Sequence, residues 1–120
     1  MKANHHGVTN TNLAEALKAH DPQNIVVCSW VDCHPRTNVL NEMITTLPNV
    51  DLHITNFWKG ERPSGVDDKV TDEEAARVKS YDGHIVVRVT DEGRTYRIRT
   101  LEDVKGTMKV KKVVGPYKSR

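Results

Sequence analysis

The sequence predicts an α+β fold: a single domain, residues 1–120, with a mixed sheet, an N-terminal helix, a βαβ unit and a C-terminal three-stranded antiparallel meander. Residues 84–114 contain three runs in which apolar and polar residues alternate, which is the pattern of half-buried strands. Residues 24–58 contain two apolar runs separated by a helical pattern, which is the order of a βαβ unit. At 120 residues the chain can bury one core. Residues 1–11 and 115–120 are expected to be flexible.

The N-terminal helix is predicted to begin near Asn12. Asn12 followed by Glu15 resembles a capping box. The residues of its apolar face are Leu13, Ala16, Leu17 and His20. Asp21-Pro22 ends this helix, because the residue before a proline disfavours the helical conformation.

The βαβ unit consists of residues 24–32, a helix capped by Thr37 or Asn38, and residues 50–58. The first run is apolar on both faces, which is typical of a strand inside a parallel sheet. The helix carries an apolar stripe and Pro48 follows its end. We expect the two strands to be parallel neighbours. Residues 59–70 are predicted to be a long charged loop, and Thr71 with Glu74 predicts a third helix over residues 71–80.

The meander has the clearest register in the chain. A tight turn centred on Glu92-Gly93 sets it. The expected cross-strand pairs are Val89–Tyr96, Val87–Ile98 and Arg88–Arg97. This register places every large apolar residue except Val86 on the core-facing side, and a slip of one residue would mix the faces. In the third run, residues 107–114, Met108 and Val110 are expected to face the core.

Composition bounds the location and the partners. The chain has no apolar run long enough for a membrane helix and no secretion signal at its start, so we expect a cytoplasmic protein, including the cytoplasm of an infected host cell, and no membrane partner. The net charge is +2, but residues 1–83 carry −4 and residues 84–120 carry +6. This asymmetry indicates an anionic partner or self-association. Cys28 and Cys33 are expected to point to opposite faces and to lie too far apart for a disulfide, so we expect both thiols to be reduced.

The first candidate site is the strand-end rim, where the carboxyl ends of the two parallel strands meet. Arg36 and the free N–H groups at the start of the second helix suit an anion. Lys59 and Arg62 add positive charge, and a base could stack on Trp58. The predicted ligand-binding residues are Arg36, Thr37, Trp58, Lys59 and Arg62. No glycine-rich phosphate loop is present, so an ordinary capped loop is the alternative interpretation.

The second candidate site is the basic outer face of the meander. Its residues are Arg88, Arg97, Arg99, Lys109 and Lys111. A solvated sheet face is the alternative interpretation, because charged alternation usually has that meaning, but five cations with no interspersed acid are unusual for one. The face has no assigned aromatic residue, so it could bind the phosphates of nucleic acid but would read sequence poorly.

The third candidate is chemistry at Cys33, His34 and His53. The cysteine spacing is not that of a structural zinc site, and we expect no metal and no cofactor. His53 lies between Asp51 and Thr55 on one strand face, a setting in which a histidine is usually a satisfied structural residue. No catalytic motif is recognisable, so no catalytic residue is assigned.

These observations favour a small non-enzymatic binding protein that engages a phosphate-bearing ligand, either a nucleotide at the strand-end rim or nucleic acid on the basic outer face. Two alternatives stay open. One is a protein–protein inhibitor, an immunity-type module or a homo-oligomeric structural protein, which the charge asymmetry motivates. The other is a small hydrolase or lyase that uses His34 or His53.

Overall fold

The computed structural model describes residues 1–60 and 69–120. Its six strands form two separate three-stranded sheets, so the α+β class is confirmed, although the strands do not join into one mixed sheet. The parallel sheet contains β1 (Asn24–Val27), β2 (Asp51–Ile54) and β3 (Val78–Tyr81) in that order. The antiparallel sheet contains β4 (His84–Thr90), β5 (Thr95–Leu101) and β6 (Val110–Lys118) in that order.

The described helices are α1 (Ala14–His20), α2 (Thr37–Thr46) and α3 (Asp72–Arg77), with short 3-10 turns at Asn4–Gly7 and Asp91–Gly93. The predicted capping box of α1 is not formed. Asn12 is buried and its side chain accepts a hydrogen bond from the backbone of Asn4 at 2.9 Å, so it ties the N-terminal turn and leaves Leu13 at the N-cap position.

The hydrophobic core lies between the helices and one face of the parallel sheet. The βαβ prediction is confirmed, because β1 pairs with β2 in parallel across α2. Ile25 and Val27 of β1 alternate with polar or half-buried residues, so they share a face and join the buried residues of the helices. The buried helical and β2 residues of this cluster include Leu17, Val39, Leu40, Met43, Ile44, Leu52 and Ile54.

The opposite face of the parallel sheet is polar and meets the meander. Tyr96 of β5 accepts a hydrogen bond from Asn24 at 2.9 Å, and Tyr117 of β6 donates one to Asp51 at 2.8 Å. Ile98 of β5 is buried on the same side of the meander. The domain therefore has three layers: helices, parallel sheet and antiparallel sheet.

The third predicted helix is shorter than expected. The Thr71–Glu74 capping box is present, but α3 ends at Arg77 and the chain continues as β3. The prediction of a helix through residue 80 is wrong because Val78 and Tyr81 suit a strand and the edge of β2 is free to pair with them. The parallel sheet therefore has a third strand, which the sequence pattern did not predict.

The meander register is confirmed at every predicted pair. The expectation of a buried apolar face is only partly met, because Val87 and Val89 are 49% and 58% exposed. The meander strands have seven to nine residues, whereas each parallel strand has four. Buried residues in the meander are confined to β5, whereas β4 and β6 are largely exposed.

The third meander strand begins later than predicted. Met108 and Val110 are exposed, not in the core, because β6 starts at Val110 and the pairing with β5 is interrupted by two irregularities. Both ends of the chain take part in strand pairing: β6 continues through Lys118, and Ala3 and Met1 exchange backbone hydrogen bonds with Val26. In the part of the chain that the structure describes, no helix is long and apolar enough to cross a membrane.

Candidate functional site

The structure describes four of the five residues of the predicted strand-end rim. Arg36 precedes α2, and its backbone N–H donates to Gly7 at 3.1 Å, while Thr37 is the first residue of that helix. Trp58 is exposed, and Lys59 donates to the hydroxyl of Tyr81 at 2.7 Å with its ammonium 3.9 Å from the ring centre. This contact lowers the pKa of Tyr81. Arg62 lies outside the described residues.

A cleft of about 680 Å³ does lie at the carboxyl ends of the parallel strands, the usual ligand position in open α/β sheets. We call it the strand-end cleft. Its lining includes Trp30, Asn56, Asp82, His84, Glu102, Asp103 and Lys111, from the loops after the parallel strands and from the meander. The four described rim residues are not part of this lining.

The strand-end cleft has more acidic than basic groups. Asp82, Glu102 and Asp103 supply three carboxylates, and Lys111 supplies one ammonium. The Lys111 Nζ already donates to the carbonyl oxygens of Tyr81 and Asp82 at 3.2 and 3.0 Å. The electrostatic balance of this cleft therefore disfavours a phosphate group.

Three arginines of the basic outer face share one side of the meander. Arg88 and Arg97 are directly opposite each other on β4 and β5, and Arg99 follows Arg97 by two residues on the same face. We call them the arginine triplet. Strands β4, β5 and β6 contain no Asp or Glu, and no ion pair involves the triplet within the described ranges. The Arg99 Nε is buried without a hydrogen-bond partner there.

The two lysines predicted for the basic outer face lie elsewhere. Lys109 precedes β6, where its carbonyl accepts a hydrogen bond from the Glu102 N–H at 2.8 Å. Lys111 sits at the irregular position between Val110 and Lys112, and its side chain turns toward the parallel sheet. The bulge removes the alternation on which the outward assignment of Lys111 depended.

Lys111 instead joins a basic pocket between the two sheets. This pocket has a volume of about 210 Å³, and we call it the lysine pocket. It is lined by Lys79, Ser80, Tyr81, Thr100, Lys111 and Lys112. Thr100 is 1% exposed, and its hydroxyl has no hydrogen-bond partner among the described residues. Three lysines therefore line the pocket together with a buried hydroxyl that lacks a partner in the described ranges.

His53 is next to the lysine pocket but is not accessible from it. Its ring is fully buried, Nδ1 lies 2.6 Å from the Ser80 hydroxyl, and Nε2 lies 2.9 Å from the Asn24 Oδ1. Burial lowers the pKa of His53 to about 4. The buried ring has both nitrogens occupied, so it offers no atom to a substrate in this conformation.

Cys28 and Cys33 carry free, half-buried thiols. His34 stacks on His6 with ring centres 6.3 Å apart, and the His6 Nδ1 contacts the carbonyl oxygen of Cys28. In residues 1–60 and 69–120 no three His, Cys, Asp or Glu side chains converge as a metal site would require. The contact between His6 and His34 holds the N-terminal 3-10 turn against the loop that precedes α2.

Sequence reasoning missed Lys79, Thr100 and Lys112 as partners in one pocket. Lys79 was assigned to a helix, whereas it lies on β3 and faces the meander. Thr100 and Lys112 are cross-strand neighbours in the register that runs on from the Ile98–Val114 pair. Trp30 was assigned to a strand, but β1 ends at Val27 and the indole is 76% exposed at the strand-end cleft. The number of lysines near the ends of the predicted strands was the only feature of the sequence that pointed to the lysine pocket.

Comparison of the chain with protein-family models, with curated protein sequences and with solved structures gives no match in any of the three.

Proposed function

We propose that this protein binds nucleic acid through its phosphates, using the arginine triplet. The observation that carries the proposal is the direct cross-strand pairing of Arg88 with Arg97, with Arg99 beside them and no carboxylate on the three strands. Like charges directly opposite each other destabilise a sheet. A polyanion bound across the face would remove this repulsion, so its binding would stabilise the folded protein.

Guanidinium groups suit this role because each presents several N–H donors in a planar fork that matches phosphate oxygens. Arg88 and Arg97 are exposed, and the buried Nε of Arg99 has no partner in the described residues. The outer face carries Val86 and Val113 among the arginines but no aromatic residue for base stacking. The proposed binding therefore depends on charge and depends little on sequence.

A nucleotide has less support than nucleic acid as the phosphate-bearing ligand. The strand-end cleft is large enough for a nucleotide, but its lining includes three acidic residues, Asp82, Glu102 and Asp103, and one lysine, Lys111. Arg36 and Lys59 of the predicted rim are not among its lining residues. The arginine triplet is the better phosphate surface.

The test is fluorescence anisotropy with a labelled DNA duplex across a series of salt concentrations. Three phosphate contacts predict a log–log slope of affinity against salt on the order of −3. Arg88→Glu and Arg97→Glu should each weaken binding at least tenfold and flatten that slope.

The matched control is Lys18→Glu, which makes the same charge change on an exposed position of α1. We expect it to keep wild-type affinity and slope. Equal losses of affinity in Lys18→Glu and Arg97→Glu would show that only the net charge of the protein matters. Undiminished binding by Arg97→Glu would exclude this surface.

A second candidate function is homo-oligomerisation through β4. This strand is an edge of its sheet, and two of its own residues, Val87 and Val89, are exposed. Antiparallel pairing of two copies about Val87 would place Val89 against Ile85 of the second copy and Arg88 against Val86. No like charges would then be directly opposite across the new junction, and the two apolar stripes would become continuous.

Light scattering over a range of protein concentrations tests this second candidate. A dimer that Val87→Lys converts to a monomer would support it, whereas a monomer at all concentrations would exclude it. Val104→Lys is the control, because Val104 is as exposed but lies outside the strands. An inhibitor or immunity-type role could use the same strand edge with a different protein partner.

A further inference from the structure

We propose that the lysine pocket is a binding site for a single phosphate group, separate from the arginine triplet. The pocket lies between β3 of the parallel sheet and the β5–β6 pair of the meander. Residues from both sheets contribute to it, so it exists only when the two sheets are packed together.

The donors that remain in the pocket define its ligand. The Lys111 ammonium has three N–H groups and uses two on the Tyr81 and Asp82 carbonyls, which leaves one. Lys112 has no hydrogen bond or ion pair within residues 1–60 and 69–120. These ammonium groups and the Thr100 hydroxyl can all donate to a phosphate oxygen.

The carboxylate that pairs with Lys79 is shared with a second donor. Asp51 lies 3.8 Å from the Lys79 Nζ, which is a long ion pair, and it also accepts the hydrogen bond of Tyr117. Three lysines line the pocket and no carboxylate does, so the pocket suits a dianion.

The Thr100 hydroxyl gives the strongest indication of a missing partner. A buried hydroxyl without a hydrogen bond is costly, and native structures contain few of them. Thr100 is opposite Lys112 on β6 and lines the same pocket. A bound phosphate oxygen would satisfy the hydroxyl and contact the lysine.

The volume selects a small ligand. At about 210 Å³ the pocket is smaller than the roughly 300–1,000 Å³ of sites for drug-sized molecules. It can hold one phosphate group but not a whole nucleotide. The source could be free phosphate or the terminal phosphate of a nucleic acid strand.

The experiment is an NMR titration of the isotope-labelled protein with inorganic phosphate at constant ionic strength maintained with sodium chloride. We expect saturable shifts at Ser80, Thr100 and Lys112. Lys112→Gln should raise the Kd at least tenfold, and Lys105→Gln, which removes an exposed lysine outside the pocket, should leave it unchanged. Absence of saturable shifts, or an equal loss in both variants, would overturn the proposal.

Thr100→Val separates a ligand role from a structural one because it keeps the shape and removes only the hydroxyl. In phosphate-free buffer we expect its unfolding midpoint to equal or exceed that of the wild type. Phosphate should raise the wild-type midpoint but not that of Thr100→Val. A lower midpoint without phosphate would show that the protein itself satisfies the hydroxyl, and would contradict the proposal.

The two phosphate sources are distinguished with oligonucleotides that differ only at the 5′ end. Tighter binding of the 5′-phosphorylated strand, lost in Lys112→Gln, would identify a strand terminus, whereas equal binding together with saturable inorganic phosphate would identify free phosphate. Arg97→Glu tests the proposed function independently, since it should weaken both oligonucleotides and leave inorganic phosphate bound.

Discussion

At the scale of single residues, Gly83 marks the crossing from the parallel sheet to the meander. Its N–H donates to the Thr55 carbonyl at 3.0 Å, which holds the turn to the end of β2. A Cβ at this position would lie 2.1 Å from the carbonyl oxygen of Leu101. The backbones of β5 and the crossing are therefore in direct contact, and only glycine fits between them.

We predict that Gly83→Ala destabilises the fold by about 2–3 kcal/mol, because the methyl group must displace backbone atoms. Gly60→Ala is the control, since a Cβ at Gly60 would meet no atom within 4 Å. That variant should remain within about 0.5 kcal/mol of the wild type. Urea denaturation measures both, and equal stabilities would contradict the close packing at Gly83.

The hydrogen bonds of His53 determine its tautomer. The Asn24 Nδ2 donates to Tyr96 at 2.9 Å, so the Asn24 Oδ1 is the acceptor that faces His53. The His53 Nε2 must then carry the proton, and Nδ1 accepts from the Ser80 hydroxyl. A second proton would leave Nδ1–H facing this hydroxyl in a buried site beside two lysines, which agrees with the lowered pKa.

This pKa predicts how stability depends on pH. The His53 pKa is about 4 in the folded protein and 6.5 in an unfolded chain. As the pH falls below 6.5 the unfolded chain binds the proton first, so the contribution of His53 to stability is lost between pH 6.5 and 4 and does not change further below that. The loss is about 3 kcal/mol.

Denaturation of the wild type and of His53→Gln at several pH values measures this effect. The variant should be less stable near pH 7 but should lack the slope between pH 6.5 and 5. His20→Gln, which changes an exposed histidine, should keep the wild-type slope. A slope that persists in His53→Gln would assign the pH dependence to another group.

At the scale of elements, α3 depends on its N-terminal cap. This helix has six residues, too few for intrinsic helical stability. The Thr71 side chain accepts from the Glu74 N–H at 3.2 Å, and the Glu74 carboxylate accepts from the Thr71 N–H at 2.8 Å. The two residues satisfy each other's donors and fix the point from which the chain enters β3.

We predict that Thr71→Ala lowers the free energy of unfolding by about 1 kcal/mol, because the Glu74 N–H loses its acceptor. Thr45→Ala is the comparison within α2, where the exposed hydroxyl donates to the Asn41 carbonyl at 2.7 Å inside an existing helical turn. Its loss should cost less than about 0.5 kcal/mol. Thermal unfolding of both variants is the measurement, and a reversed order would reject the capping argument.

At the scale of the whole molecule, tyrosine hydroxyls join the two sheets. Tyr96 and Tyr117 stack with ring centres 5.2 Å apart and reach the polar face of the parallel sheet. Burial and the adjacent Asp51 carboxylate raise the pKa of Tyr117, so its hydroxyl remains protonated and donates. The interface thus combines ring packing with hydrogen bonds to fixed partners.

Tyr117→Phe should lower stability by about 1–2 kcal/mol, because Asp51 loses a hydrogen bond to a charged acceptor while the ring packing remains. Tyr81→Phe is the matched control, because the Tyr81 hydroxyl accepts an exposed hydrogen bond from Lys59. We expect a change below about 0.5 kcal/mol there. Chemical denaturation tests the pair, and an unaffected Tyr117→Phe would show that the hydroxyl does not stabilise the sheet packing.

The sequence by itself determined the parts of this protein whose signals are local. Alternation and the Glu92-Gly93 turn defined the pairing of β4 with β5, and the Thr71–Glu74 spacing located the start of α3. Helical periodicity between two apolar runs was sufficient for the βαβ unit. These features depend on residues a few positions apart, so the printed pattern contains the information.

Tertiary structure decided how many sheets form and which lysines meet. Val78 became part of a strand because the edge of β2 was open, and Lys111 turned inward because of a bulge in β6. Packing of the long meander on a short parallel sheet buried Ile98 but left Val87 exposed. Each outcome depends on the relative placement of segments that are distant in sequence, which no local pattern encodes.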